Sequence, residues 1–141
     1  MRLGLLFAAA MVGVGVGCLA PEVLCEDGHC ECAGNDCVCP ASGDCSIDCT
    51  ADCDLQCAGS GNCDFICGDL CNVECTGSGN CGQTMGPGST GACKGNGNCS
   101  FACTGPCSVT CPGSGDCELE CPAEAPLQTC SNDALACGAC P

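Results

Sequence analysis

The sequence has very few aromatic and very few basic residues. Among its 141 residues there is no Trp, no Tyr and only three Phe, and Arg2 and Lys94 are the only basic side chains besides one His. Aromatic side chains supply the largest single burials in ordinary protein cores, so their scarcity excludes a conventional hydrophobic core. The formal net charge is −15 at pH 7, which excludes a nucleic-acid partner because phosphates require a positive surface.

The sequence also lacks the motifs of catalysis. Its single His, His29, lies in an irregular stretch, and there is no nucleophile elbow, phosphate-binding loop or His-rich metal motif. Carboxylates close in sequence, such as Glu118 and Glu120, arise by chance in a chain with 17 acidic residues. We therefore predict that the protein is not an enzyme and has no catalytic residue and no cofactor.

Cysteine and glycine are abundant instead. The chain contains 25 Cys and 22 Gly, and this proportion of Cys far exceeds the level that marks a disulfide scaffold in a secreted chain. A small domain that cannot bury enough apolar surface commonly compensates with cross-links. The composition therefore predicts a covalently stapled fold.

The N-terminus has the pattern of a signal peptide. Arg2 precedes an apolar run over residues 3–16, which matches a positive n-region and an h-region of signal-peptide length. An uncleaved membrane anchor is the competing interpretation. The apolar stretch reaches only Ala20, which is barely long enough to span a bilayer, and Pro21 and Glu22 follow instead of a basic stop-transfer flank. We expect cleavage.

The end of this segment, Gly15-Val16-Gly17-Cys18, resembles the lipobox of bacterial lipoproteins. The resemblance implies that Cys18 is diacylated, that it becomes the new N-terminus, and that Leu19 directs the protein to the outer membrane. The membrane would then be a partner through the acyl chains on Cys18, and the protein would be extracytoplasmic, at the outer membrane or cell surface. An ordinary secretory signal with an unmodified Cys18 is the alternative.

The number of cysteines supports the modification of Cys18 independently. Twenty-five is odd, and an odd Cys in a secreted protein needs an explanation. If Cys18 is acylated, the other 24 cysteines can all pair.

An 18-residue repeat occupies most of the chain. It is marked by five evenly spaced cysteines: Cys45, Cys63, Cys81, Cys99 and Cys117. Each well-formed repeat has two halves of the form Cys-x-Φ-x-Cys, where Φ is apolar, as in Cys45-Ile47-Cys49. Residues at i, i+2 and i+4 lie on one face of a strand, and the intervening positions are mostly polar or small. A helix is disfavoured because Gly, Asp, Asn and Ser interrupt the pattern.

These observations predict an all-β fold, a small disulfide-rich β-solenoid of 18-residue repeats with two short strands per coil. The inward faces would consist of Cys-Φ-Cys, and the coils would stack because no repeat can bury its own face. Three residues link the two halves of a repeat. Five residues link successive repeats, and we expect the Gly-rich part of this link, Gly59-Ser60-Gly61-Asn62, to require positive φ.

The repeat divides the chain into five segments. These are a signal peptide at 1–17, a tether at 18–24, a Cys-rich N-terminal cap at 25–44, the repeat solenoid at 45–121 and a Cys-rich C-terminal cap at 122–141.

The Gly-rich link has a weak resemblance to the calcium-binding β-roll of RTX proteins, a family whose full coil has the same length as this repeat. The likeness is best at Gly59, Gly61, Asn62, Asp64 and Phe65, and it implies a bound calcium ion. However, Cys63 stands where the family has Asp, and each repeat contains one such motif instead of two. We therefore expect a structural turn.

Thiolate metal binding is the main alternative to a disulfide framework. Cys30-Glu31-Cys32 and Cys37-Val38-Cys39 resemble the Cys-x-Cys pairs of metallothioneins. Those proteins act in reducing compartments, whereas a signal peptide sends this chain to where disulfides form. We therefore expect no metal and a non-enzymatic cell-surface lipoprotein with a structural or interaction role. The alternative is a secreted cation- or metal-binding protein.

The repeat also predicts a disulfide map. Bonded cysteines have Cα atoms about 4.4–6.8 Å apart, whereas residues four apart along a strand are roughly 13 Å apart, so pairing must cross turns. In the third repeat Met85 and Ser89 replace two cysteines together, which indicates that these positions are partners across the three-residue turn. The predicted pairs are Cys49–Cys53, Cys67–Cys71 and Cys103–Cys107 across that turn, and Cys39–Cys45, Cys57–Cys63, Cys75–Cys81, Cys93–Cys99 and Cys111–Cys117 across the Gly-rich turn.

Four cysteines remain at each end of the chain. They are Cys25, Cys30, Cys32 and Cys37 before the repeats, and Cys121, Cys130, Cys137 and Cys140 after them. Each set can pair locally in three ways.

Peptide mapping after partial reduction tests this map. We expect linked peptides that join cysteines across each turn, because only turns bring strand ends within bonding distance. The contrary outcome is a peptide that joins equivalent cysteines of adjacent coils, such as Cys45 to Cys63 or Cys49 to Cys67.

Overall fold

The computed structural model describes the backbone of Leu24–Glu26 and His29–Glu31 and all of residues 36–141. The predicted signal peptide at 1–17 and the lipidation site Cys18 lie outside these residues, as do the side chains of Cys25, Cys30 and Cys32. None of the described residues belongs to a helix with the length and apolar character needed to cross a membrane.

The described part of the chain forms short β-strands and one 3₁₀ turn at Ser131–Asp133. The strands are β1 (Leu24–Glu26), β2 (His29–Glu31), β3 (Asp36–Val38), β4 (Cys45–Ala51), β5 (Asp54–Cys57), β6 (Cys63–Asp69), β7 (Asn72–Cys75), β8 (Cys81–Met85), β9 (Thr90–Cys93), β10 (Cys99–Cys103), β11 (Cys107–Thr110), β12 (Cys117–Glu120), β13 (Leu127–Thr129) and β14 (Leu135–Cys137).

The strands form two sheets of seven, and each well-formed coil contributes one strand to each sheet. The first sheet has the order β1-β2-β4-β6-β8-β10-β12, and the second has the order β13-β14-β11-β9-β7-β5-β3. From β4 to β12 neighbouring strands of the first sheet are parallel and pair at a constant offset of one repeat, as where Cys45 lies opposite Cys63 and Cys63 opposite Cys81. The predicted β-solenoid of 18-residue repeats with two strands per coil is confirmed.

The core lies between the two sheets and consists of the Cys-Φ-Cys faces. In β6 the side chains of Cys63, Phe65 and Cys67 are buried while Asp64 and Ile66 are exposed. This alternation follows from the two-residue period of a strand. The apolar Φ residues stack in columns along the solenoid, and those fully buried with the largest volumes are Phe65, Phe101, Ile47, Leu55, Val73 and Val109.

Both ends of the solenoid depart from the simple repeat. At the N-terminal end β3 pairs in parallel with β5, with Asp36 opposite Asp54, so the register of the repeat extends into the segment 25–44 that the sequence assigns to a cap. At the C-terminal end β14 runs antiparallel to β11, with Ser108 opposite Ala136, and β13 pairs with β14. This hairpin lies within 122–141 and covers the last edge of the second sheet.

Glycines in the Gly-rich turn are required by close stacking of the coils. A Cβ built on Gly79 would overlap the carbonyl oxygen of Gly61 in the preceding coil, and one on Gly97 would overlap that of Gly79. The expectation of positive φ in this link is wrong for Gly59 and Gly61. Among the described glycines of the Gly-rich turns, only Gly43, the equivalent of Gly61 in the first turn, has a positive φ, and the other two such glycines, Gly88 and Gly138, lie elsewhere. The turns pack so tightly because the main chain of each hydrogen-bonds to the one before, as from Ser78 N–H to Gly59 O at 3.1 Å.

Left-handed backbone recurs from coil to coil in the three-residue turn. Asp52, Leu70 and Gly88 occupy equivalent positions in successive coils and have φ of 55°, 60° and 76°. Such values are unfavourable for residues with a Cβ, so the constraint that ties the strand ends together outweighs this cost at Asp52 and Leu70. Pro106 occupies the equivalent position in the next coil, where its ring requires a negative φ.

The glycine requirement can be tested by Gly79→Ala. We expect this substitution to lower the free energy of unfolding by about 1–3 kcal/mol, because the added methyl group must push two coils apart. The matched control is Ser78→Ala in the same turn, whose exposed side chain should change stability by less than about 0.5 kcal/mol. Guanidinium denaturation under non-reducing conditions measures both; equal stability of the two variants would contradict the explanation.

Candidate functional site

Two rows of disulfides run along the edges of the core. The row across the Gly-rich turn is continuous, and the row across the three-residue turn lacks a bridge in the third repeat. The Cα–Cα distances of the eight bridges range from 5.8 to 6.5 Å. They are the same eight pairs that the sequence predicts: Cys39–Cys45, Cys49–Cys53, Cys57–Cys63, Cys67–Cys71, Cys75–Cys81, Cys93–Cys99, Cys103–Cys107 and Cys111–Cys117.

At the C-terminal end the structure selects one of the three pairings that the sequence left open. Cys121 bonds to Cys137 and Cys130 bonds to Cys140, with Cα–Cα distances of 5.4 and 5.6 Å. The first bridge joins the end of the last coil to the antiparallel cap. Cys37 is disulfide-bonded as well, so all 21 cysteines from residue 36 onward are oxidised.

The third repeat replaces its missing bridge with non-covalent contacts. Met85 lies opposite Cys67 in the strand register and is fully buried. Ser89 is also buried, and its Oγ donates to the carbonyl of Gly68 at 3.2 Å and accepts from the N–H of Cys71 at 3.0 Å. The buried thioether of Met85 and the two hydrogen bonds of Ser89 therefore replace the disulfide of the neighbouring coils.

The same repeat loses both of its apolar Φ residues. Gln83 lies between Phe65 and Phe101 in the first sheet and is 4% exposed. Its Nε2 contacts Cys75 Sγ at 2.7 Å, whereas its Oε1 has no hydrogen-bond partner among the described residues. In the second sheet a Cβ on Gly91 would overlap the ring of Phe101, so this ring fills the space of the absent side chain. The sequence already contained the signal for this difference, because neither Φ position of the third repeat, Gln83 or Gly91, has a large apolar side chain.

Sulfur atoms of neighbouring disulfides come close together at three places. Three groups of three have all their Sγ atoms within 4.8 Å: Cys49, Cys53 and Cys67; Cys57, Cys63 and Cys81; and Cys103, Cys107 and Cys137. Each group contains a disulfide-bonded pair, so in the oxidised protein none offers three thiolates. Among the described residues, three potential metal ligands come together in these cysteine groups and in no group of carboxylates.

A ladder of Asp and Asn side chains follows the corner that precedes the strands β4, β6, β8, β10 and β12 of the first sheet. We call it the Asx ladder. Each of its first four members accepts, through Oδ1, a hydrogen bond from the main-chain N–H of the equivalent residue in the next coil, at distances of 2.9–3.1 Å. Its members, in order, are Asp44, Asn62, Asn80, Asn98 and Asp116.

A groove lies beside the Asx ladder on the outer surface of the first sheet. Its volume is about 590 Å³, and its lining includes the three Asn of the ladder. Between Asp64 and Glu118 at the two ends, the outward column of the sheet contains only Gly82 and Ser100, which leaves a depression. The ionisable side chains of the lining, Asp64, Asp116 and Glu118, are all acidic.

The described residues contain no group of three carboxylates close enough together to hold a calcium ion. Asp44 and Asp116 are at opposite ends of the Asx ladder, and Asp64 and Glu118 are three coils apart in one column. In the RTX-like segment the Oδ1 of Asn62 is occupied by the N–H of Asn80. The ladder residues therefore act in stacking the coils.

Charge is concentrated at the two ends of the solenoid. From 75 to 115 there is no acidic residue, and Lys94 is the only charged one. Its Nζ lies 3.1 Å from the carboxylate of Glu74, and both side chains are partly exposed. Such exposed pairs contribute little to stability, so the middle of the rod presents a nearly uncharged surface of hydroxyls, amides and small side chains.

No family model, no curated protein and no solved structure matches this chain. The disulfide rows, the Asx ladder and the groove are therefore interpreted from their own geometry.

Proposed function

We propose that the protein is a non-enzymatic lipoprotein, anchored at the cell surface through Cys18, whose stapled solenoid has a structural or interaction role. The observation that carries the proposal is the complete oxidation of the 21 cysteines from residue 36 onward. Disulfide frameworks form and persist in oxidising compartments, and the signal-like segment and lipobox-like residues at 1–18 would supply a route to one.

A structural role is supported by how the rod is held together. Each coil contacts chiefly its neighbours, as in other solenoids, and the core has no Trp or Tyr and only short Φ columns. Each bridge closes a short loop and contributes about 2 kcal/mol on the loop-entropy account. Together they resist unfolding where a core of this thickness could not, which suits a protein that projects from a membrane.

An interaction role is supported by the outer surface. Because strand residues alternate between the core and the solvent, the outward positions can vary without disturbing the disulfide rows. One such surface, on the first sheet, contains the groove with its Asn and Ser groups. The fold thus separates a covalent scaffold from a surface that is free to bind a partner.

Soft-metal binding is the second candidate function. It is favoured by one observation, the three groups of Sγ atoms within 4.8 Å of one another. In a reduced protein, such groups would present thiolates, the ligands that Zn²⁺ and Cu⁺ prefer.

The anchor is tested by Cys18→Ser. We expect loss of lipid labelling and release of the protein from the membrane fraction, since stable attachment depends on the acyl chains. Leu19→Ala, which keeps the Cys18 thiol, is the matched control and should stay in the membrane fraction. The anchor proposal fails if the Cys18→Ser protein remains with the membrane at the wild-type level.

Intact mass with alkylation separates the two candidate functions. For the lipoprotein, we expect no cysteine to react with iodoacetamide until a reductant is added, because 24 are paired and Cys18 is acylated. A fully reduced sample is the control for access of the reagent. Free thiols that react only after a chelator removes bound Zn or Cu would instead favour the metal-binding protein.

A further inference from the structure

The Asx ladder presents a row of solvent-exposed amide donors along the groove. The Oδ1 atoms of Asn62, Asn80 and Asn98 each accept a main-chain N–H at 3.0–3.1 Å, which fixes the position of each amide. Their Nδ2 groups have no acceptor among the described residues, and all three residues line the groove. Because the amides are already held, a ligand that binds them does not have to order them first.

The floor of the groove supplies hydrogen-bond acceptors, which complement the amide donors. The carboxylate of Asp64 lies over Gly82, its neighbour in the outward column. A Cβ built on Gly82 would be 2.7 Å from the Oδ1 of Asp64. Glu118 lies at the other end of the depression and Ser100 provides a hydroxyl between them. The groove therefore has amide donors along one side, carboxylate acceptors at its ends and a group that does both on its floor.

The lining excludes several classes of ligand. Three carboxylates without a basic side chain repel phosphates, sulfates and uronic acids. None of the exposed large apolar side chains, Val38, Ile66, Leu70 and Leu127, lines the groove, so a lipid or an aromatic ligand would find no large apolar side chain to pack against. Asp64 is three coils from Glu118, or about 14 Å at the spacing of parallel strands, and no three carboxylates of the described residues come close enough together to hold a metal ion.

We propose that the groove binds an uncharged oligosaccharide that lies along the solenoid axis. Each sugar hydroxyl both accepts and donates hydrogen bonds, so one chain can accept from the Asn amides and donate to the carboxylates. The donors recur once per coil, at about 4.8 Å, which is close to the advance of one sugar unit in an extended glycan. Successive sugars would therefore meet equivalent donors.

This inference names a ligand class for the interaction role proposed above and rests on that role, but not on the anchor at Cys18. The chain has no Trp or Tyr on which a sugar ring could stack, so hydrogen bonds must supply the affinity. Because each hydrogen bond makes only a small net contribution, we expect a Kd on the order of 1 mM.

The first test is an NMR titration of the protein as purified. The probes are two uncharged tetramers, cellotetraose and the tetramer of N-acetylglucosamine, with tetragalacturonate as an anionic probe of similar size. We expect at least one uncharged tetramer to shift the side-chain amide signals of Asn62, Asn80 and Asn98 with a saturable dependence on concentration. The amide signal of Asn96, which lies in the Gly-rich turn outside the groove, should not move.

The second test compares Asn80→Asp with Asn96→Asp. Asn80→Asp keeps the Oδ1 acceptor for the next coil, as Asp44 already does in the same ladder, but it removes the donor. We expect it to weaken binding at least about fivefold, the loss of one net hydrogen bond. Asn96→Asp makes the same change of charge outside the groove and should bind as the wild type does. The backbone signals of the same spectra report whether each variant is folded.

Several results would overturn the proposal. They are the absence of a saturable shift with both uncharged tetramers, equal binding of tetragalacturonate, and equal weakening by the two variants. These results are distinguishable from failure of the anchor. If sugars do not bind but the release of Cys18→Ser from the membrane is observed, only the ligand is wrong; if sugars bind and the anchor test fails, only the attachment is wrong.

Discussion

Parallel stacking of the chain on itself, at an offset of one repeat, is the constraint on which the rest of the structure depends. The strands of the first sheet from β4 to β12 pair each residue with its own equivalent in the neighbouring coil. Where main chain meets main chain in the turns, as at Gly61 and Gly79, there is no space for a Cβ. Where side chains meet in the core, the volumes of neighbouring coils must be complementary, since voids and overlaps both destabilise.

The third coil shows how such complementarity is kept when the repeat degenerates. The ring of Phe101 occupies space that Gly91 leaves, and Ser89 bonds to main-chain groups of the preceding coil. The bridge missing here is flanked by Cys75–Cys81 and Cys93–Cys99 in the other row. The chain thus remains cross-linked through this coil, and the polar side chain of Gln83 is tolerated in its core.

Stability and the proposed binding are linked through single side chains in the Asx ladder. The oxygen of Asn80 accepts from the next coil, while its nitrogen makes no hydrogen bond to a described residue and the residue lines the groove. An Asp at the same position satisfies the first requirement and not the second, as Asp44 does at the start of the ladder. The stacking hydrogen bond therefore does not require Asn in place of Asp, whereas the proposed ligand does, because it needs donors.

The sequence by itself determined the fold class, the register of the repeat and the turn-crossing pairs of the repeats. These depend on short-range rules, the two-residue period of a strand and the reach of a disulfide, which repeat along the chain. It did not determine why Gly61 is a glycine, how Cys121 and Cys130 pair, or where the groove lies. Each of these depends on atoms of other coils, such as the carbonyl over a turn, the antiparallel cap or the empty column at Gly82. Only the stacked structure brings those atoms together.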